Sequence, residues 1–410
     1  MRVARTNDGA IAEAAAPRRT DGLITKAVFV VVVAYIALLA SAYACGDWLV
    51  DNQGRTIQTD FINVWAAGRL VLTGHPADAY DWPIHKAAEE AGIGHSFNNY
   101  FGWHYPPPFL FIAALLARLP YLAAFLVWMA VTMPAYAATI RAIVGRPVAL
   151  ALACAFPGAL WNVAAGQNGF MTAALLGGAL VAMESQPLFA GILIGLLTYK
   201  PQFGLLFPLL LAVTGQWRIF LAASLTMLAM IGTTWWAFGL QAWRGFFDWL
   251  PVTSQLVLGG GFSGFDKLQT TFGMVRSLGG SEDLAWVLQI ATAVFAAGVV
   301  LWIWRQHVAY EIKAAALATA SLMCTPYLYL YDLVVLAVPI AFLIRLGFRD
   351  GFLPHEIIVF LFAAMLVLVD PFRLVVLPIG SIAVLAIFGV VCWRAFVAGK
   401  TSATVVAAAA

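Results

Sequence analysis

Charge is what this chain has least of. Aspartate, glutamate, lysine and arginine make up only 10% of its 410 residues, and the formal net charge is +3. So little charge cannot solvate the surface of an ordinary soluble enzyme, and the composition is far too apolar for a disordered chain. No basic cluster interleaved with aromatics occurs, so no nucleic-acid partner is expected. Cysteine is equally scarce: Cys45, Cys154, Cys324 and Cys392 lie scattered in or beside apolar runs with no CxxC pair, a pattern that favours apolar packing over a disulfide or metal framework. His75, His85, His95 and His104 share no metal-ligand spacing such as HExxH, so no metal and no cofactor is expected.

What the chain does have is hydrocarbon: 62% of it is apolar and 13% aromatic. The apolar residues fall into repeated runs of about 17 to 25, each long enough to cross about 30 Å of lipid as a helix. The runs lack the alternation of barrel strands, and a backbone in lipid must satisfy its own hydrogen bonds, so the fold class is all-α, a polytopic transmembrane helical bundle. The first span is predicted at 24–44, longer than a signal-peptide core and therefore retained. Further candidates lie near 106–143, 147–165, 169–184, 187–214, 219–239, 284–305, 313–326, 329–347, 353–369 and 373–394, with prolines interrupting the first at Pro120 and the fourth at Pro201. Roughly eleven to thirteen crossings follow. One integral membrane domain is expected over 24–398, with outer loops at 46–105 and 240–283, a tail at 1–23 and a flexible tail at 399–410. No signal for an oligomeric state is visible.

Arg2, Arg5, Arg18 and Arg19 precede the first span, which puts the N-terminus in the cytoplasm and the following loop outside. If 106–143 makes one net crossing and 187–214 makes two, then Arg141, Arg146, Arg218, Arg305, Lys313, Arg345, Arg349, Arg394 and Lys400 all face the cytoplasm. The same assignment gathers Gln167, Asn168, Lys200 and 327–332 on the outer side; the converse one sends Gln167 inward and Arg141 and Arg146 outward.

The outer loop 46–105 holds seven of the twenty acidic residues and four of the six histidines. Carboxylates are costly near lipid, so such an island implies a water-facing site. Within it, Phe61, Val64, Trp65, Gly68 and Leu72 recur at helical spacing, with Thr59 placed to cap the start and Gly74 to end the helix. Asp60 falls at that N-terminus, where the helix dipole favours an ionised carboxylate able to accept a proton; the plainer reading makes it only a capping residue. His104 and Tyr105 precede three prolines that forbid helix and hold both side chains rigidly at the outer surface. Lys200 lies amid apolar residues before Pro201, as a cavity-lining ammonium would, although a lysine snorkelling from a helix end explains it too. Gln167-Asn168 and CTPYLYLYD at 324–332 are polar breaks suited to sugar hydroxyls, or in the case of the tyrosines to an interface belt. In the second outer loop, Trp243, Phe246, Phe247 and Trp249 read as an interfacial helix or equally as a groove for a lipid substrate, ahead of FDKLQTTFGMVRSLG.

Four segments carry a family resemblance: TDFINVWAAGRLVLTGHPADAY at 59–80, YPPP at 105–108, GQNG at 166–169 and AGILIGLLTYKPQFGLLFPLLL at 190–211. In order and spacing they resemble bacterial glycosyltransferase family 87, polytopic enzymes of the GT-C class similar to the mycobacterial polyprenyl-phosphate-mannose-dependent mannosyltransferases. The resemblance implies transfer of a hexosyl, specifically mannosyl, group from a polyprenyl-phosphate sugar to a lipid or glycan acceptor at the periplasmic face of a bacterial cytoplasmic membrane. It makes Asp60 the general base and matches Lys200 to the lysine of the family's KP motif. Lys200, His104, Lys267 and Arg276 are then the groups available to the leaving phosphate, and Tyr105, Gln167, Asn168 and Tyr331 the remaining substrate contacts. Many members have a histidine where this chain has Tyr331-Asp332; Tyr331 brings no charge there, and Asp332 becomes the second candidate for the base. A transporter or flippase of lipid-linked sugars, and another glycan-assembly enzyme such as an O-antigen polymerase or ligase, are the competing readings.

Overall fold

The computed structural model describes residues 8–99, 101–372, 374 and 376–409, with side chains from 25 to 400 among them. Helices make up the described fold, joined by isolated bridges such as Leu268 to Tyr329 and no named strand. Six of the described helices are long and apolar enough to cross a bilayer: Thr25–Ala44, Tyr121–Val144, Trp217–Gly259, Glu282–Arg305, Leu330–Asp350 and Gly380–Lys400. Val148–Ala155 and Pro157–Ala165, bent by 59°, make a seventh if counted as one span. The fold is thus an all-α polytopic bundle with fewer full-length spans than the eleven to thirteen expected. The difference lies in short helices: Gly169–Ala182, Pro187–Tyr199 and Pro201–Val213 are apolar but end early. Proline removes a backbone donor and clashes with the preceding turn, and Gly166, with φ +71°, takes a left-handed conformation that ends a helix.

Both interrupted stretches resolve in one frame. Tyr121, at the start of its helix, meets the Thr59 backbone amide with its hydroxyl at 3.0 Å, beside Asp60, while Arg141 lies in the last turn of the same helix. The preceding short helix, Phe109–Leu116, packs beside Ile62–Leu72, so 106–143 passes once between the ends of the bundle. In the second stretch, Glu184 and Gln216 line one hollow with Lys313, which puts both feet at the same end and Lys200-Pro201 at the apex. The helix that begins beside Asp332 carries Arg345 and Arg349 near its other end, about 25 Å away along the axis. There both arginines pair with Glu311, Arg394 pairs with the buried Glu356, and Arg146 covers the Phe348 ring.

The acidic loop after the first span folds into two amphipathic helices, Ile62–Leu72 and Trp82–Ile93. Asp81 caps the second by accepting from the Ile84 amide at 3.1 Å, and Gly94 ends it in the left-handed region. Thr59 does not hold the cap position of the first, which falls to Phe61, but its hydroxyl accepts from the Phe61 amide at 3.3 Å and pairs with the Tyr121 hydroxyl at 2.9 Å. The aromatic stretch 243–249 follows a break at Gly239 in the Trp217–Ser254 helix, and Phe246 packs on Tyr80 of the first loop.

Gly68 is where that loop meets the bundle. A Cβ there would stand 2.0 Å from the Ala113 carbonyl oxygen and 2.7 Å from the Ala117 Cβ, contacts that a rigid helix backbone cannot relieve. Gly68→Ala is therefore expected to cost about 1–3 kcal/mol and to lower the thermal midpoint in detergent, read by tryptophan fluorescence. An unchanged midpoint would mean that the two helices do not touch at this glycine.

Candidate active site

A cavity of about 560 Å³ opens at the end of the bundle that carries the acidic loop. Asp60, Asn63, His104 and Gln167 line it together with Asp266, Lys267, Tyr329, Tyr331 and Asp370, and Trp82 and Phe262 add aromatic surface. Helix breaks supply most of this lining, because a break turns side chains and spare backbone groups toward water instead of lipid.

Asp60 lies one residue before the Ile62–Leu72 cap and makes no capping bond in the structure. Its Oδ2 accepts from Gln167 Nε2 at 3.3 Å. Enclosure by protein removes water from the carboxylate and pushes it up to about 6; the Gln167 bond and the positive charge of Lys267 act against that rise, and the negative charge of Asp332 adds to it. The result is a carboxylate that is charged at neutral pH yet holds few bonds.

The other expected residues divide. Tyr105 donates to Gln167 Oε1 at 3.1 Å. His104 stacks on Trp249, whose indole N–H points at Nδ1 at 3.3 Å. An indole only donates, so Nδ1 is an acceptor and the ring proton of neutral His104 sits on Nε2. Lys200 is buried behind the cavity, with its Nζ donating to Asp332 Oδ1 at 2.5 Å and to Asn168 Oδ1 at 2.9 Å. Asp332 is held further by the Tyr329 amide at 3.3 Å. Lys200 and Asp332 thus spend their charges on each other, and Tyr331 covers the pair, its ring centroid 5.6 Å from the ammonium. Arg276 does not line the cavity; it donates to the Gly280 and Gly259 carbonyls and lies over Phe265. Of the four cationic candidates, Lys267 and His104 reach the cavity.

Several lining residues were not anticipated from sequence. Asp370 accepts from Gln269 Nε2 at 3.0 Å, and burial raises it to about 6. It belongs to a polar break between two apolar runs, the same signal that marks 166–168 and 324–332. Asn63 stands beside a fully buried pair, His85 and Glu89; the His85 Nε2 meets the Asn63 carbonyl oxygen at 3.2 Å. Desolvation pushes Glu89 up to about 8 and His85 down to about 4, so both are neutral near pH 7. Among the described residues, no group of three or more His, Cys, Asp or Glu side chains is placed to hold a metal ion.

A carboxylate, an ammonium and tyrosines thus line one hollow at the end of an apolar bundle, a set of groups able to take a proton and to meet negative charge. Comparison of the chain with curated proteins and with solved structures finds no match. The family comparison does: glycosyltransferase family 87 matches residues 103–326, more than half of the chain, beginning at Trp103 beside His104 and running past Gln167, Lys200 and Lys267. Asp60 lies before the matched segment and Asp332 just after it. The chain belongs to glycosyltransferase family 87 and is a multi-pass membrane glycosyltransferase.

Proposed function

We propose that the chain transfers a hexosyl group, mannosyl in the first instance, from a polyprenyl-phosphate sugar to a lipid or glycan acceptor, with Asp60 as general base. The observation that carries this reading is the contrast between two carboxylates. Asp332 is locked to Lys200, whereas Asp60 lines the cavity with one hydrogen bond and is raised to about 6. Only the second is free to take a proton. Asp60 removes the proton of the acceptor hydroxyl as its oxygen bonds to the anomeric carbon. The bond from that carbon to the phosphate oxygen breaks, the electron pair leaves with polyprenyl phosphate, and the anomeric configuration inverts.

The leaving phosphate gathers negative charge and requires a donor or cation aimed at it. Lys267 serves, because it lines the cavity and forms no ion pair among the described residues; the Tyr331 hydroxyl and the Nε2 proton of His104 add neutral donors. Lys200 instead fixes the wall against which the phosphate rests. Arginines gather at the opposite end of the bundle from this cavity, so the positive-inside rule supports a periplasmic site in a bacterial cytoplasmic membrane.

The test is transfer of labelled sugar from polyprenyl-phosphate donors by membranes containing the protein. Asp60→Asn should abolish transfer, and transfer at the parental rate would remove Asp60 from the role of base. A base must be ionised to act, so the parental rate should fall as pH drops through about 6 and level off above it. Lys267→Met should raise the donor KM about tenfold with a smaller change in kcat if it binds ground-state and departing phosphate alike. Lys200→Met alone or Asp332→Asn alone leaves a buried partner unsatisfied and should cost about 3–5 kcal/mol, seen as a lower thermal midpoint, whereas Lys200→Met with Asp332→Leu should recover most of it. Transfer by the recovered double variant confirms that Asp332 is not the base; loss of transfer in a stable double variant would reinstate it.

A further inference from the structure

Gln167 follows Gly166 at the turn between Pro157–Ala165 and Gly169–Ala182, and its side chain is only 5% exposed. Its amide has one orientation. The Asn168 backbone N–H, which can only donate, points at Oε1 at 3.4 Å, and the Tyr105 hydroxyl reaches the same oxygen at 3.1 Å. Nε2 is therefore the atom left for Asp60, at 3.3 Å from Oδ2. Tyr105 is itself immobile: it precedes three prolines, its ring packs edge-on against Trp103 and Phe109, and its carbonyl accepts from the Tyr80 hydroxyl at 2.9 Å. On the other side Asn168 is tied to Lys200, so both neighbours of the amide are anchored.

We propose that Gln167 is a positioning residue for catalysis, anchoring Oδ2 of Asp60 through an amide locked by Tyr105 so that Oδ1 is the oxygen presented to the acceptor hydroxyl. The inference rests on the reading of Asp60 as base and adds what aims it. A carboxylate on a flexible loop samples rotamers, and a general base works only within hydrogen-bond reach of the proton it takes. Donation from Nε2 also favours the ionised carboxylate, in opposition to the desolvation that raises it. Removal of Gln167 thus does two things: it frees the side-chain torsions of Asp60 and increases its affinity for a proton. Substrate contacts elsewhere in the cavity stay in place.

Two variants and two readouts test this. In Gln167→Met, the acid limb of the transfer rate should move up by about one pH unit, with kcat near that limb down about tenfold and the donor KM changed less than about threefold. Tyr105→Phe removes the lock and leaves Nε2, so it should shift the limb the same way by less. Independently of activity, a carbodiimide labels protonated carboxyls, and the pH midpoint for labelling Asp60 in intact membranes, read by peptide mass spectrometry, should rise in both variants. A midpoint unmoved in both, even with transfer lost, overturns the role of Gln167. Should Gln167→Met fail to accumulate, the Tyr105→Phe midpoint decides alone. Transfer by Asp60→Asn at the parental rate would instead sink the base itself, an outcome distinct from an unmoved midpoint.

Discussion

The buried bond between Lys200 and Asp332 governs the end of the bundle that holds the cavity. Two full charges with 5% and 1% exposure are tolerable only if each satisfies the other and the remaining lone pairs find donors. Lys200 sits at the apex of two short helices, Asp332 in the first turn of a long one, and Asn168 at the turn between two more. Five segments of helix are thereby tied at one point. None of them could slide along its axis without breaking one of these bonds, so the cluster fixes the relative depth of the breaks at Asn168, Lys200 and Asp332.

Depth decides the chemistry. Asp60 and Asp332 are the same residue type in the same end of the protein, and their environments set them apart: one faces a cation at bonding distance, the other faces an amide and an open cavity. At a distance the charges of the buried pair largely cancel, so Lys267, which lines the cavity, weighs more in its field than Lys200 does. An unpaired lysine at the apex would instead put a net positive charge deep in the bundle, behind the cavity.

Much of the frame was legible in the sequence because lipid allows so few solutions. Apolar runs gave the all-α class, and counting Arg141, Arg146 and Arg218 against a single side separated the stretch that passes once from the one that turns back at Lys200. The isolated lysine at 200 advertised itself as costly, but its partner lies 132 residues away and no local pattern links them. The same holds for Thr59, whose hydroxyl meets the Phe61 amide locally, as its type suggests, but also Tyr121 across the fold. Arg276 looked available only because backbone carbonyls that accept from it carry no sequence signature. Helix length was the other blind spot: apolarity continues through Pro157, Pro187 and Pro201, while the hydrogen-bond ladder does not.

Breaking so many helices in an apolar protein leaves carbonyls without intrahelical partners, and each would cost free energy if buried unmet. The aromatic content answers this. Trp48 donates to the Ala164 carbonyl in the last turn of Pro157–Ala165, Trp161 to Val367 in the last turn of Glu356–Val369, Tyr310 to Leu180 and Tyr136 to Ala153, each again in a last turn. Trp65 reaches Leu119 in the break before Pro120, and Tyr80 reaches Tyr105 ahead of the three prolines. Indole and phenol suit the task because each pairs a large apolar body, at home in lipid or core, with a single polar tip. Two of these donors, Trp48 and Trp65, belong to the loop that carries Asp60, which is thereby stitched to the bundle through carbonyls that the broken helices expose, while the Tyr80 bond ties the loop to its own end at Tyr105. Irregular helices create the polar cavity, and the same irregularity supplies the acceptors that hold the Asp60 loop over it.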